Sequence, residues 1–191
     1  MVNLTRIYTR TGDDGTTALG DMSRTAKTNP RLGAYADVDE ANSSIGVAIA
    51  LGALDDDVNT LLTNIQNELF DVGADLCTPV VANPEYPPLR VTQAYIDSLE
   101  AACDLYNSKL EPLRSFVLPG GTPGAALLHV ARTVIRRAER TTWAAISLYD
   151  DGVNELTALY LNRLSDLLFI LARYANLGHG GDVLWQPGTH R

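Results

Sequence analysis

The stretch Arg132-Thr-Val-Ile-Arg136-Arg137-Ala-Glu139-Arg140 lies inside a run with helical periodicity that extends from about Thr122 to Tyr149. Ala125, Leu128, Ala131, Val134, Ile135 and Ala138 recur along it at steps of one helical turn, so they form the apolar side of an α-helix. Arg132, Arg136 and Arg140 stand at successive i, i+4 positions and share a face. Such a ladder either holds something anionic or faces water. The helix opens on Thr122-Pro123, a hydroxyl N-cap followed by a proline whose missing N–H costs nothing in the first turn. A long helix with one apolar side needs other helices to bury it.

The chain on either side supplies them. Asn29-Pro30 repeats the cap-and-proline opening, Gly52 closes that element, and Leu32, Tyr35, Ala36, Val38, Ala41, Ile45, Ala48 and Ile49 give its apolar stripe. Asp55 or Asp56 opens a second helix, with Val58, Leu61, Leu62, Ile65, Leu69 and Val72, running to about Leu76. A proline-rich stretch over 78–90 is long enough to cross the end of a bundle without structure of its own. Thr92 caps a third helix to about Leu110, and the last runs from near Asn154 to about Ala175. The expected architecture is all-α, a five-helix up-and-down bundle. We read residues 1–191 as one domain: a loop segment over 1–28, the bundle over 29–176 and a mobile, glycine-rich tail over 177–191, in which Trp185 suggests docking.

The first segment differs from the rest. Tyr8-Thr-Arg-Thr-Gly-Asp-Asp-Gly-Thr-Thr-Ala-Leu-Gly20 is rich in glycine, threonine and charge and reads as a loop. Gly12, Gly15 and Gly20 permit positive φ, which turns backbone N–H groups inward around an anion, and the threonines add hydroxyls. Taken alone it is a surface turn or a phosphate cradle. Its spacing is neither that of a Walker loop nor that of a dinucleotide fingerprint. Lys27 is either solvated or reaches back as a point charge for the same anion.

The formal net charge of −8 over 191 residues opposes a role in coating nucleic acid or an anionic membrane. Clustered cations in such a chain point to a local anionic ligand. Met1–Arg10 has no apolar core, and no segment is apolar enough to span a bilayer, so a cytoplasmic protein is expected. Cys77 and Cys103, with no CxxC, are expected as thiols. No Glu-x-x-His pair and no hydrolase signature is present, and His129 reads as a packing residue inside a helix. An enzyme built this way works by positioning and electrostatics, with a substrate that brings its own nucleophile and a polyphosphate leaving group. Two further features stay open at this level. Asp37-Val-Asp39-Glu40-Ala-Asn42 is an exposed helix face or an arginine's partner, and Phe116 is a core anchor or a wedge against a flat apolar ligand. Asn162 and Asp166 interrupt an apolar stripe, either to knit helices together or to touch a ligand.

Five motifs, in order, resemble the PduO-type corrinoid adenosyltransferases: Tyr8 to Thr17 with Lys27, Asp39-Glu-Ala-Asn42, Phe116-Val-Leu-Pro-Gly-Gly121, Arg132 to Arg140, and Tyr160-Leu-Asn-Arg-Leu-Ser-Asp166. The resemblance covers about residues 6–175. It implies a homotrimer with ATP between subunits, direct attack of cob(I)alamin cobalt on the ribose C5′, and release of triphosphate with Mg2+ on the phosphates. By the same resemblance Thr9, Arg10, Thr11, Gly12, Thr17 and Ala18 form the triphosphate loop and Lys27 neutralises it. Arg136, Arg137, Glu139, Arg140 and Asn162 complete the nucleotide site from the neighbouring subunit. Asp39 and Arg132 match a salt bridge across the interface, and Phe116 matches the aromatic residue that excludes the lower axial ligand of the corrinoid. Arg136, Lys27 and Phe116 are thus the expected catalytic residues, with no metal ligand from the protein itself. Ala18 stands where some relatives carry a hydroxyl residue, and Ala36 and Ala41 where they often have glycine and leucine. A corrinoid reductase and an adenosylcobalamin-dependent enzyme are the implied protein partners. Two other readings share the fold: a trimeric ATP or corrinoid sensor without transfer, and a scaffold whose arginine face pairs with a partner's acidic helix.

Overall fold

The structure, a computed structural model, describes residues 7–188. Five helices make the body: α1 (Pro30–Leu51), α2 (Asp56–Cys77), α3 (Gln93–Asn107), α4 (Pro123–Tyr149) and α5 (Leu156–Tyr174). Two of the predicted caps form as expected, with Asn29 Oδ1 accepting from Arg31 N at 2.9 Å and Thr122 Oγ1 accepting from Ala125 N at 3.2 Å, while Asp55 and Thr92 stand at the N-cap positions of α2 and α3 without a side-chain cap hydrogen bond. α3 ends a turn earlier than its periodicity suggested. α5 starts later because Asn154 is used as a cap, its Oδ1 accepting from Leu156 N at 3.1 Å.

Contacts between helices fix their directions. Arg137 pairs with Glu40 while Thr141 donates to Asp37; as the number rises on α4 it falls on α1, so the two are antiparallel. The same test makes α2 antiparallel to α1 (Arg31 with Leu76, Asn42 with Gln66) and to α3 (Tyr95 with Asp71, Tyr106 with Asp57). It makes α5 antiparallel to α4 (Asn162 with Glu139, Phe169 with His129) and parallel to α3 (Tyr95 with Tyr160, Tyr106 with Tyr174). The bundle therefore alternates up and down through all five helices. Its core is aliphatic, centred on Ile45, Leu62, Leu69, Leu128, Ile135, Leu161, Leu164 and Leu168, all at or below 1% exposure. Each such side chain contributes roughly 1.5–3 kcal/mol relative to solvent.

Tyr160 is fully buried on α5, its hydroxyl donating to Glu68 Oε2 at 2.7 Å. Burial pushes the Glu68 carboxyl up, partly opposed by the Tyr160 hydrogen bond. A carboxyl raised above its unfolded value stabilises the fold below the unfolded pKa and loses that contribution as pH rises through the folded pKa. Glu68→Gln, which keeps an acceptor for Tyr160, should raise the unfolding midpoint at pH 8 and leave it unchanged near pH 4. Equal shifts at both pH values would contradict this.

The N-terminal segment is more ordered than the loop expected. Thr16–Ala18 (β1) and Arg24–Ala26 (β2) form an antiparallel hairpin, in register Thr16 to Ala26, Thr17 to Thr25 and Ala18 to Arg24. Strands of three residues carry no readable alternation, which is why periodicity missed them. The hairpin docks at the Tyr149 end of the bundle. Gly20 N donates to Cys77 O at 2.9 Å, and Asn29 Nδ2 reaches both Thr25 Oγ1 and the Tyr149 hydroxyl. A Cβ on Gly20 would meet Thr78 Oγ1 at 2.1 Å, so that approach requires glycine. Buried Arg31 braces the same corner by donating to Leu76 O and Gly152 O, at 2.9 and 2.7 Å, with its guanidinium 4.8 Å from the Tyr149 ring centre.

The tail, read as mobile, is paired over its described residues. Val117 and Leu184 form an antiparallel bridge, Leu118 N donates to Val183 O at 2.7 Å, and Trp185 N donates to Phe116 O at 2.8 Å. Trp185 docks edge-on to Phe116, with ring centres 5.9 Å apart. Asn176 secures this end of the fold by accepting from Thr122 N at 2.9 Å.

Candidate functional site

The hairpin shapes the glycine–threonine loop that precedes it. Of the three glycines expected at positive φ, Gly15 adopts it (φ 80°), while Arg10 (φ 62°) and Met22 (φ 65°) take the other such positions. Gly12 serves close approach instead, since a Cβ there would stand 3.0 Å from Lys27 Nζ and from Thr16 O. The Lys27 ammonium is thus folded back onto the loop, the alternative of the two in which it can meet an anion. Thr9 and Thr11 hydroxyls lie 2.9 Å apart, and the Arg10 guanidinium sits 5.9 Å from the Tyr8 ring centre. Thr17 and Ala18 belong to β1.

Sequence reasoning missed Arg24, an isolated arginine with no motif around it. Its Nη2 donates to Thr11 O at 2.8 Å, its Nε to Thr16 Oγ1 at 3.1 Å, and it pairs with Asp14 at 3.5 Å. Asp14 also accepts from Thr16 N and Oγ1 at 3.0 and 2.7 Å, and those Thr16 hydrogen bonds hold its carboxyl below the usual range. Asp14, one of the loop's two acids beside Asp13, is therefore occupied within the loop, while Lys27 forms no salt bridge among the described residues and remains for a ligand.

The arginine ladder divides. Each i, i+4 step rotates about 40° past a full turn, so Arg132 and Arg140 are about 80° apart and do not form one strip. Arg136, Arg137 and Arg140, with Thr133 and Val134, line a groove of about 400 Å³ on α4. Arg132 leans instead toward α5. Its guanidinium is 5.9 Å from the Phe169 ring centre, and its Nε is buried with no protein partner. Burial and the neighbouring Arg136 charge both press its pKa down.

The acidic stretch of α1 finds its partner here. Arg137 pairs with Glu40 and lies 3.7 Å from Asp37, whose other oxygen accepts from Thr141 Oγ1 at 2.9 Å. The Glu40 hydrogen bond raises the Arg137 pKa further. Arg137 is thus committed within the chain, whereas among the described residues Lys27, Arg136, Arg140 and Asp39 form no salt bridge. Asn162 and Asp166 turn out exposed. Asn162 Nδ2 donates to Glu139 Oε1 at 3.2 Å across α4 and α5, and Asp166 pairs with Arg163, which also holds Glu100. Asn162 thus knits α5 to α4, whereas Asp166 stays within α5 and steadies Arg163, which makes the bond to Glu100 on α3.

Phe116 is 77% exposed in the loop at the Thr122 end of α4, so it is not a core anchor. The phosphate-shaped loop is docked at the Tyr149 end. The 27 residues of α4 place these ends about 40 Å apart, at 1.5 Å per residue. A cavity of about 210 Å³ at the Thr122 end of α4, lined by Leu54, Val58, Pro123 and Tyr174 with Asp55 and His179 among others, has no lysine or arginine in its lining to hold phosphate.

An all-α bundle that offers a cation-bearing threonine–glycine loop and a separate arginine groove in which Arg136 and Arg140 form no salt bridge among the described residues, despite its net negative charge, has the features of a polyphosphate-binding protein of the helical class. The chain belongs to the cobalamin adenosyltransferase family, which it matches over residues 7–175. The reaction of that family is ATP-dependent adenosyl transfer to a corrinoid. A corrinoid adenosyltransferase of Mycobacterium tuberculosis (strain ATCC 25618 / H37Rv) is 65% identical over 190 residues, spanning 100% of this chain and 97% of the relative. A cobalamin adenosyltransferase of Cupriavidus metallidurans is 47% identical over 185 residues, spanning 96% of this chain and 95% of the relative. Among solved structures, a phenylalanine-to-alanine variant of a PduO-type ATP:corrinoid adenosyltransferase from Lactobacillus reuteri, complexed with cobalamin and ATP, superposes with a TM-score of 0.86. It is 36% identical, and the match covers 95% of this chain and 99% of that one.

Proposed function

We propose that this chain transfers the 5′-deoxyadenosyl group of ATP to the Co(I) centre of a corrinoid, at a site that two copies of the chain build together within a homotrimer. The observation that carries the reading is the roughly 40 Å between the loop with Lys27 and exposed Phe116, which a three-residue hairpin ladder of about 10 Å does not bridge. A second copy bringing its loop to the Arg136–Arg140 groove closes that gap.

In the reaction, the cobalt electron pair forms the Co–C5′ bond while the C5′–O bond breaks and its electrons leave on triphosphate. Cobalt goes formally from Co(I) to Co(III), and no protein nucleophile or base is consumed. The protein's work is to hold the triphosphate as its charge grows and to keep C5′ open to cobalt. Loop N–H groups, Thr9, Thr11 and Lys27 grip the phosphates, and Arg136 and Arg140 meet them from the partner copy. Mg2+ carried on the phosphates would neutralise part of the departing charge; with Asp14 already held by Thr16 and Arg24, its ligands come from the triphosphate. Phe116, exposed and apolar, would occupy the lower face of the corrin and leave cobalt four-coordinate, which eases reduction to Co(I). The setting is the cytoplasm, where a reductase supplies Co(I) and an adenosylcobalamin-dependent enzyme takes the product.

Incubating the protein with ATP, Mg2+ and chemically reduced cobalamin should consume the Co(I) absorption and release triphosphate in equal amounts. Binding of ATP without either change would overturn transfer and leave a sensor. Asp39 is exposed on α1 and, in this reading, pairs with Arg132 of the next copy. Asp39→Asn should shift sedimentation toward smaller species at low protein concentration or raise the corrinoid KM. Unaltered sedimentation together with unaltered activity would refute that pairing.

A further inference from the structure

Among the described residues five buried side-chain atoms lack a hydrogen-bond partner: Asn59 Oδ1, both ring nitrogens of His129, Arg132 Nε and Asp182 Oδ1. Three of these, on His129 and Arg132, belong to side chains packed against one ring, that of Phe169. His129 and Arg132 are one turn apart on α4, with ring centres of His129 and Phe169 6.0 Å apart and the Arg132 guanidinium 5.9 Å from the same ring. Arg173, one turn beyond Phe169 on α5, donates from Nε to Asp182 Oδ2 at 2.7 Å and from Nη2 to Glu111 O at 2.8 Å. Buried polar groups without partners are rare, and a cluster of them calls for an explanation.

The four atoms are complementary. A neutral imidazole has one donor and one acceptor, Asp182 Oδ1 is an acceptor, and Arg132 Nε is a donor. We propose that His129 is a positioning residue that links the C-terminal segment to Arg132 through ordered water, donating on the Asp182 side and accepting on the Arg132 Nε side. The expected packing role of His129 is thereby extended: it is 2% exposed, yet it lies within electrostatic reach of two charged groups. Burial and the Arg132 charge favour its neutral form, against the pull of Asp182. The charged groups facing it are Arg132 on α4 and Asp182 in the tail, the latter already paired with Arg173 on α5.

The consequence concerns the transfer site and rests on the function proposed above. Residues 183–185 pair with 116–118, so the segment that holds Asp182 also sets the Phe116 strand. Through His129 the position of that strand and the orientation of Arg132 are fixed together.

Two measurements on the full chain test this. With histidine labelled in 15N, the His129 ring, assigned by its loss in His129→Gln, should appear as a single neutral tautomer from pH 8 to pH 6. Asp182→Asn should change its nitrogen shifts. A ring that titrates as a free imidazole, or that ignores Asp182→Asn, overturns the link. In steady-state assays His129→Leu should raise the corrinoid KM about tenfold, the scale of one lost hydrogen bond to a charged group, with ATP KM unchanged. His129→Gln, which restores a donor and an acceptor, should recover most of the loss. Equal behaviour of the two variants, or a parallel rise in both KM values, refutes the proposal. If the unaltered protein forms no adenosylated product, the transferase reading fails, whereas the ring measurement still decides the His129 link.

Discussion

Arg136→Ala should lower kcat by about two orders of magnitude, the loss of about 3 kcal/mol expected when one preorganised donor to a developing negative charge is removed. Arg136 lines the α4 groove beside Arg140 and, among the described residues, has no salt-bridge partner, so its charge is held for something outside the chain. Triphosphate gains charge only as the C5′–O bond breaks, and an interaction that strengthens with that charge appears in kcat. Folding should be unaffected, because no intramolecular bond is given up. Steady-state kinetics with ATP and reduced cobalamin, alongside a thermal melt, make the check. A variant with unchanged kcat and only a raised ATP KM would assign Arg136 to ground-state binding instead. Arg137→Ala provides the contrast: it gives up Glu40 and Asp37 on α1, so its first effect should be on the α1–α4 seam.

Asp75→Ala should be the most destabilising single change, by roughly 3–5 kcal/mol, the cost of breaking a buried charged pair from one side. Asp75 is 1% exposed and binds three groups: Arg90 Nη1, Val91 N at 2.8 Å and Asn154 Nδ2 at 2.7 Å. Arg90 in turn donates to Thr78 O and Pro79 O at 2.6 and 2.9 Å. One carboxylate therefore ties the proline-rich crossing to the end of α2 and the start of α5. The hairpin rests on the same corner through Gly20 and Cys77, so the variant should also raise the ATP KM. Urea unfolding at fixed protein concentration measures the first effect. An unchanged midpoint would mean that Arg90 and Asn154 find other partners once Asp75 is gone.

The helices were legible because their determinants are local. Asn29-Pro30 and Thr122-Pro123 each state a helix start within two residues, and the 3.6-residue spacing of Leu128, Ala131, Ile135 and Ala138 states its buried side. The loop was legible as a composition of glycine and threonine, although the hairpin inside it was too short to show a period. Arg24 was invisible, since its role lies in bonds to Thr11 and Thr16 that no spacing announces. The acidic stretch of α1 was legible as a candidate partner for an arginine, but not that Glu40 pairs with Arg137 in particular.

By itself, then, the sequence determined five amphipathic helices, their order, the cation-bearing loop and the family motifs, because caps, periodicity and motif spacing act over a few neighbouring residues. The tertiary structure alone decided how those helices are used: Arg137 committed to α1, Arg132 and His129 turned to Phe169, and the tail laid on the Phe116 strand. Each of these joins residues tens of positions apart in the chain. Which face meets which neighbour depends on how the whole bundle buries its apolar surface, and no local stretch encodes that.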